Sequence, residues 1–192
     1  MSTLAKDLLY FSLEYSEQCY TELLQNLVSL EPSLSVYMKT DNEVVKLLDT
    51  IQNPPEFFDC LISKLNDGDV FLIKQDKLYK LNDKIHTTML YTGGKEDKRI
   101  SDLEPLIDSM ISVNLKSFGI SDNFIVAELE ITNPDIPYYG NPIQHITIGL
   151  RQKESKKFKI FPKDSPTALS DGTKYFLEES FSFDGILTTV KK

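Results

Sequence analysis

Cysteine is scarce: Cys19 and Cys60 are two in 192 residues. Two thiols without patterned spacing supply neither a disulfide framework nor a zinc site. Both are expected to be reduced, in a cytoplasmic protein. Long apolar runs are also missing, and nothing reaches the length needed to span a bilayer, so no membrane partner is expected. Lys6, Asp7 and Glu14 interrupt the N-terminus and no small-residue cleavage site follows, which does not suit a signal peptide. Positive charge is in deficit, with 21 Lys and Arg against 29 Asp and Glu and a formal net charge of −8. Long duplex nucleic acid is gripped mainly by Lys and Arg on phosphates, so it is excluded as a partner. A small phosphorylated ligand is not, since one local positive region suffices for it. The chain has no P-loop, no ligase lysine motif and no cluster of metal ligands. Neither a metal nor a cofactor is expected.

Histidine is just as rare, and there the pattern begins. The two histidines sit in His86-Thr87-Thr88-Met89 and His145-Ile146-Thr147-Ile148, each reading His, any residue, Thr, apolar residue. A strand puts residues i and i+2 on one face. His145, Thr147 and Gly149 then share one side, and Ile146, Ile148 and Leu150 the other. The first copy is less clean, because Leu90 falls on the face of His86 and Thr88, while Tyr91 is expected to face away in a structural role.

These residue types suit phosphoryl chemistry. Histidine titrates near neutral pH, so one ring can accept a proton while the other donates one. A Thr hydroxyl beside each ring can hydrogen-bond a phosphoryl oxygen. His86 and His145 are the catalytic candidates, and Thr88 and Thr147 the phosphate-binding ones. Tyr138 and Tyr139, in the loop before the second motif, are candidates to stack on a base, with plain packing as the alternative. Arg151 and Lys163 are candidate phosphate contacts at the ends of the most basic stretch, which also holds Lys153, Lys156, Lys157 and Lys159. A solvated hairpin explains that stretch equally well. Gly93-Gly94-Lys95 reads as a tight turn first and a ligand loop second.

The doubled His-x-Thr pattern resembles that of the 2H phosphoesterases, also called LigT-like. The resemblance covers roughly residues 71–190. His86 to Tyr91 matches the longer form of the motif, with an aromatic five residues after the His. The second copy has Leu150 there instead. The stretch 142–150 with Phe161-Pro162-Lys163-Asp164-Ser165-Pro166 is similar to the tRNA-ligase branch. The resemblance implies two small antiparallel sheets with helices outside, one His-x-Thr from each, and a cleft between. It implies a metal-independent phosphodiesterase acting on a small nucleotide with a ribose 2'-oxygen in the scissile linkage, such as 2',5'-oligoadenylate or a 2'-5'-linked cyclic dinucleotide. RNA 3'-end processing at a 2',3'-cyclic phosphate is the alternative, and a non-catalytic binding module is a further one.

Periodicity supplies the expected elements. Residues 4–30 read as a helix, with Leu4, Leu8, Phe11, Tyr15, Leu23, Leu24, Leu27 and Val28 at helical spacing. Thr40-Asp41-Asn42-Glu43 has capping-box form and predicts a helix carrying Val44, Val45, Leu47, Leu48 and Ile51. A third helix is expected over 56–65. Strands are expected at 70–74, 78–81, 85–91, 124–131 and 145–150. Ser101-Asp102-Leu103-Glu104 predicts a helix through Leu106, Ile107, Met110 and Ile111. A closing hairpin turns at Asp184-Gly185. The sum is α+β with mainly antiparallel sheet: a helical region over 1–66 packed on a two-lobed core over 67–192.

Overall fold

The computed structural model describes residues 7–41, 43–49, 64–75, 77–152 and 160–192. The fold is sheet-dominated α+β. Ten strands are described: β1 (Leu8–Glu14), β2 (Leu34–Lys39), β3 (Val44–Asp49), β4 (Val70–Lys74), β5 (Lys77–Leu81), β6 (His86–Tyr91), β7 (Met110–Ile120), β8 (Phe124–Ile131), β9 (His145–Arg151) and β10 (Thr173–Lys191). They form one sheet in the order β3-β2-β4-β5-β9-β8-β7-β10-β1-β6. Every pair of neighbours is antiparallel. The helices are α1 (Glu17–Leu30), the single turn α2 (Ile100–Leu103), and 3-10 segments at Glu104–Leu106 and Pro162–Leu169. Among the described residues no helix is long and apolar enough to cross a membrane.

The expected N-terminal helices are corrected in two places. Residues 8–14 form a strand inside the sheet, between β10 and β6. Leu8, Phe11 and Leu13 are fully buried there. The register slips between Leu8 and Tyr10, so residues three apart, Leu8 and Phe11, come to one buried face, an interval that also satisfies helical spacing. The helix starts only at Ser16, whose Oγ accepts a hydrogen bond from the Cys19 amide. It lays Cys19, Leu23, Leu24, Leu27 and Val28 into the core. No capping box opens a helix here: each of Thr40 and Glu43 donates its amide to the other's carbonyl, between the antiparallel β2 and β3. The β-branched Val44 and Val45 continue as edge strand β3. The helix expected over 56–65 lies almost wholly outside the described residues.

Two later expectations also change. The helix opened near Ser101 ends within two turns, and its N-cap is Arg99 rather than Ser101. Met110 and Ile111 already belong to β7, where Ile111, Val113 and Leu115 are buried in alternation with Met110, Ser112 and Asn114. No hairpin forms at Asp184-Gly185. Strand β10 runs straight through, pairing Asp184 with Ser112 and Gly185 with Ile111. Glycine is there for close packing, since a Cβ would fall 2.7 Å from the Tyr15 ring.

The N-terminal segment pins both motif strands. Tyr15 Oη and Thr87 Oγ1 are 2.8 Å apart in a hydrogen bond that fixes β6 from its core side. Tyr20 Oη donates to the Ile148 carbonyl of β9 at 3.3 Å. The sheet bends so far that β6 and β9, tenth and fifth in its order, approach one another. That bend creates the site.

Candidate active site

Strand β6 departs from simple alternation. Against β1, Leu90 pairs with Phe11 and Thr88 with Ser12, so Met89 is an extra residue and the register slips. This is a β-bulge, which re-aims the side chains beyond it. Thr87, Met89 and Leu90 go into the core, while His86, Thr88 and Tyr91 line a cavity. Two expectations are thereby corrected. Leu90 does not share the face of His86, and Tyr91 does not point away; its ring stands 67% exposed at the cavity rim. Strand β9 alternates through its motif, with Ile146 and Ile148 fully buried and His145 and Thr147 facing the same cavity. Its register against β8 slips too, leaving Ile148 as the extra residue. In both motif strands the bulged residue is the apolar one three places after the His.

The cavity holds about 450 Å³, a size suited to a small ligand. Strand β6 contributes His86 and Thr88 to its lining, and β9 contributes His145 and Thr147. Tyr10 stacks on His86, with centroids 5.8 Å apart and planes 22° from parallel. Loop 133–142 closes one side. It is tied to β6 by the Tyr139 amide, which donates to the Met89 carbonyl at 2.9 Å. Gly140 passes so close that a Cβ would sit 2.3 Å from the Thr88 carbonyl oxygen.

Hydrogen bonds fix what each group can do. The Ile143 carbonyl lies 2.8 Å from His145 Nδ1. A carbonyl only accepts, so Nδ1 carries the proton and Nε2 is left to exchange one with a ligand. Asn82 Nδ2 donates to the Thr147 carbonyl at 2.6 Å, steadying the strand behind that side chain. Burial lowers the pKa of the His145 imidazole, and the Ile143 carbonyl opposes it. Burial also lowers that of His86; Glu14 beside it on β1 pulls upward, and the charge of His145 pushes further down. Desolvation is the largest cause at both rings, so each is favoured in its neutral form.

The remaining expected residues divide. Tyr139 lines the cavity. Its hydroxyl donates to Asp102 Oδ2 at 2.5 Å, and the Arg99 guanidinium sits 5.4 Å from its ring centroid. Lys163 also lines the cavity, its ammonium 5.6 Å from the Phe161 ring centroid. Tyr138 does not line it and packs on the core, where burial pushes its hydroxyl up to about 12. Arg151 does not line it either; its guanidinium lies 3.8 Å from the Asp122 carboxylate. Gly93 and Gly94 form a turn whose amides donate to the Leu9 and Leu8 carbonyls, with φ of 63° and 79°. Lys153, Lys156, Lys157 and Lys159 lie outside the described residues. Sequence reasoning missed Tyr10, Asn82 and Asn141 as cavity residues. Their types carry no local signal, and only the folding of the sheet brings them in.

No family model matches the sequence, and a search of curated proteins finds no match. Among solved structures, the chain is similar to the crystal structure of a fungal RNA kinase, at 15% identity and a TM-score of 0.49. The alignment covers 97% of this chain and 46% of that one, so the chain spans about half the length of this neighbour. Similarity at that level carries no functional argument, and the site stands on its own residues.

Proposed function

We propose that the protein is a metal-independent phosphodiesterase of the 2H type, acting on a small nucleotide whose scissile linkage involves a ribose 2'-oxygen. The observation that carries this reading is the convergence of both histidines and both threonines on one cavity of about 450 Å³. On this reading the sheet's two halves play the part of two lobes, with β6 and β9 each bringing one motif to the cavity. In-line attack at phosphorus needs a base on one side and an acid on the other, and two histidines from different strands of one cavity can take those parts. One imidazole takes a proton from water as its oxygen bonds to phosphorus. The P–O bond to the ribose breaks, and the other imidazole protonates the departing oxygen. A 2',3'-cyclic phosphate would open to a phosphomonoester. In a 2'-5' linkage the neighbouring 3'-hydroxyl can replace water, giving a cyclic phosphate.

Each proton transfer contributes roughly 10²–10⁴ in rate. Thr88 and Thr147 donate to non-bridging oxygens as charge develops on them. Lys163 offers the phosphate a cation at the cavity wall. The Tyr139 ring, held by Asp102 and Arg99, supplies a platform for a base, and Tyr91 at the rim offers a second. The cavity's size favours a mononucleotide or dinucleotide over a long chain.

The test is incubation with 2',3'-cyclic AMP, 2',5'-oligoadenylate and 2'3'-cGAMP in excess EDTA, beside a His145→Ala control. Cleavage of a 2'-5' bond that disappears in the control supports the reading. Cleavage of the cyclic mononucleotide alone moves the substrate to RNA 3'-ends. A folded protein that cleaves none of them overturns this substrate class and favours a binding module.

A further inference from the structure

Thr147 Oγ1 lies 2.6 Å from the Oγ of Ser165. Ser165 sits on the 3-10 segment Pro162–Leu169 and is fully buried. The segment is seated on the sheet by Ala168 and Leu169, which pack with Phe124 and Val126 of β8. Two residues earlier, Lys163 enters the cavity.

A hydroxyl pair can be wired in two ways. If Thr147 donated to Ser165, the Ser165 proton would be buried without an acceptor, since Thr147 is its one hydrogen-bond partner among the described residues. An unsatisfied buried donor is costly. Ser165 therefore donates, and the Thr147 oxygen accepts. Thr147 faces the cavity, so its own proton is turned toward whatever occupies it. Its remaining hydrogen-bonding group is a donor, the polarity an anionic oxygen needs.

We infer that Ser165 is a positioning residue that commits the Thr147 hydroxyl to donate into the cavity, making that subsite selective for an anionic oxygen such as a phosphoryl oxygen. Ser165 never touches the ligand. It acts through Thr147, and the 3-10 segment delivers this donor and the Lys163 ammonium to the same wall. The inference rests on the phosphodiester reading only for the identity of the anion.

The test is a double-mutant cycle of Ser165→Ala and Thr147→Val. It is read by turnover of 2',3'-cyclic AMP and, separately, by binding of 2'-AMP in calorimetry. Ser165→Ala is expected to lower kcat/KM and weaken 2'-AMP binding by about fivefold, the scale of one hydrogen bond. In the Thr147→Val background the same change is expected to alter either quantity by less than about twofold. A purely structural serine would cost the same in both backgrounds, and that result overturns the inference, as does an unaffected Ser165→Ala. If Ser165→Ala melts below the assay temperature, Ser165→Cys, a weaker donor of similar shape, is read in its place by the same criterion. A wild type that binds 2'-AMP through the coupled pair but turns nothing over preserves the inference and removes the reaction. A wild type that does neither removes both.

Discussion

Tyr10 lies across the imidazole of His86, its ring 5.8 Å away and within 22° of parallel. The two come from neighbouring strands, four positions apart in the register of β1. The stack holds the imidazole from one side and leaves the other to the cavity. An aromatic pair contributes about 0.5–1.5 kcal/mol beyond burial. Tyr10→Leu is therefore expected to lower kcat about 2–10-fold, and Tyr10→Phe to retain most activity. Steady-state kinetics on both variants check it; equal losses would show that the hydroxyl, not the ring, matters.

The pH profile follows from the two lowered imidazole pKa values. Activity needs one ring neutral and one protonated, so kcat/KM rises and falls as a bell. Both rings lie below the ordinary histidine value of about 6.5, and the maximum is expected on the acid side of it. A bound phosphate's negative charge favours both protonated rings, so the kcat profile should lie at higher pH than that of kcat/KM. Rate measurements across pH 4–9 decide this, and a kcat/KM maximum well above 7 would contradict it.

Gly140 allows loop 133–142 to cross β6 at close range. A methyl group there would meet the Thr88 carbonyl at 2.3 Å, a backbone atom that cannot swing aside. Gly140→Ala should displace the loop, with Tyr139 and the Ile143 carbonyl that sets the His145 tautomer. Misplacing a catalytic group by about 1 Å costs up to about 100-fold in rate. The expected signature is a fall in kcat larger than any fall in thermal stability, measured by kinetics beside a melt.

Far from the cavity, Glu31 at the end of α1 accepts a hydrogen bond from the Tyr175 hydroxyl and lies 3.3 Å from Lys74 Nζ. Burial alone would raise its pKa. The hydrogen bonds from Tyr175 and Ser33, with the charge of Lys74, outweigh that and hold it at about 2. A carboxylate with a folded value below its unfolded one stabilises fully above the unfolded value, about 4.3, and loses that contribution as pH falls toward about 2. Glu31→Gln is expected to cost about 1–3 kcal/mol at pH 7 and to flatten the acid limb of the stability curve. Denaturant melts from pH 7 to 2 measure both, and an unchanged limb would place the acid sensitivity elsewhere.

The facing of the second motif was legible because it depends on offsets within a strand. His145 and Thr147 two apart, with Ile146 and Ile148 between and after, predict one polar and one buried face, and that is their arrangement. The N-terminal region was not legible. Leu8 and Phe11 share a buried strand face across a register slip, and their three-residue spacing imitates a helix. The alternation of Ile111, Val113 and Leu115 was present to be read, but a capping pattern at Ser101 obscured it. Arg151 looked available because a sequence does not reveal that Asp122 lies across from it. Asn82 and Tyr10 reach the cavity only through tertiary folding.

The slip at Met89 has a consequence for parity. On an unbroken strand, residues an odd number of places apart look in opposite directions. His86 and Tyr91 are five apart, yet both border the same chamber. One surplus residue converts an odd interval into a shared outlook. Trimming that residue would shorten the interval to four, so an unbroken strand would keep the histidine and the tyrosine on the chamber side and Leu90 in the interior. The odd interval between two residues of one chamber is thus a mark, readable in one dimension, of a fault in the pleat.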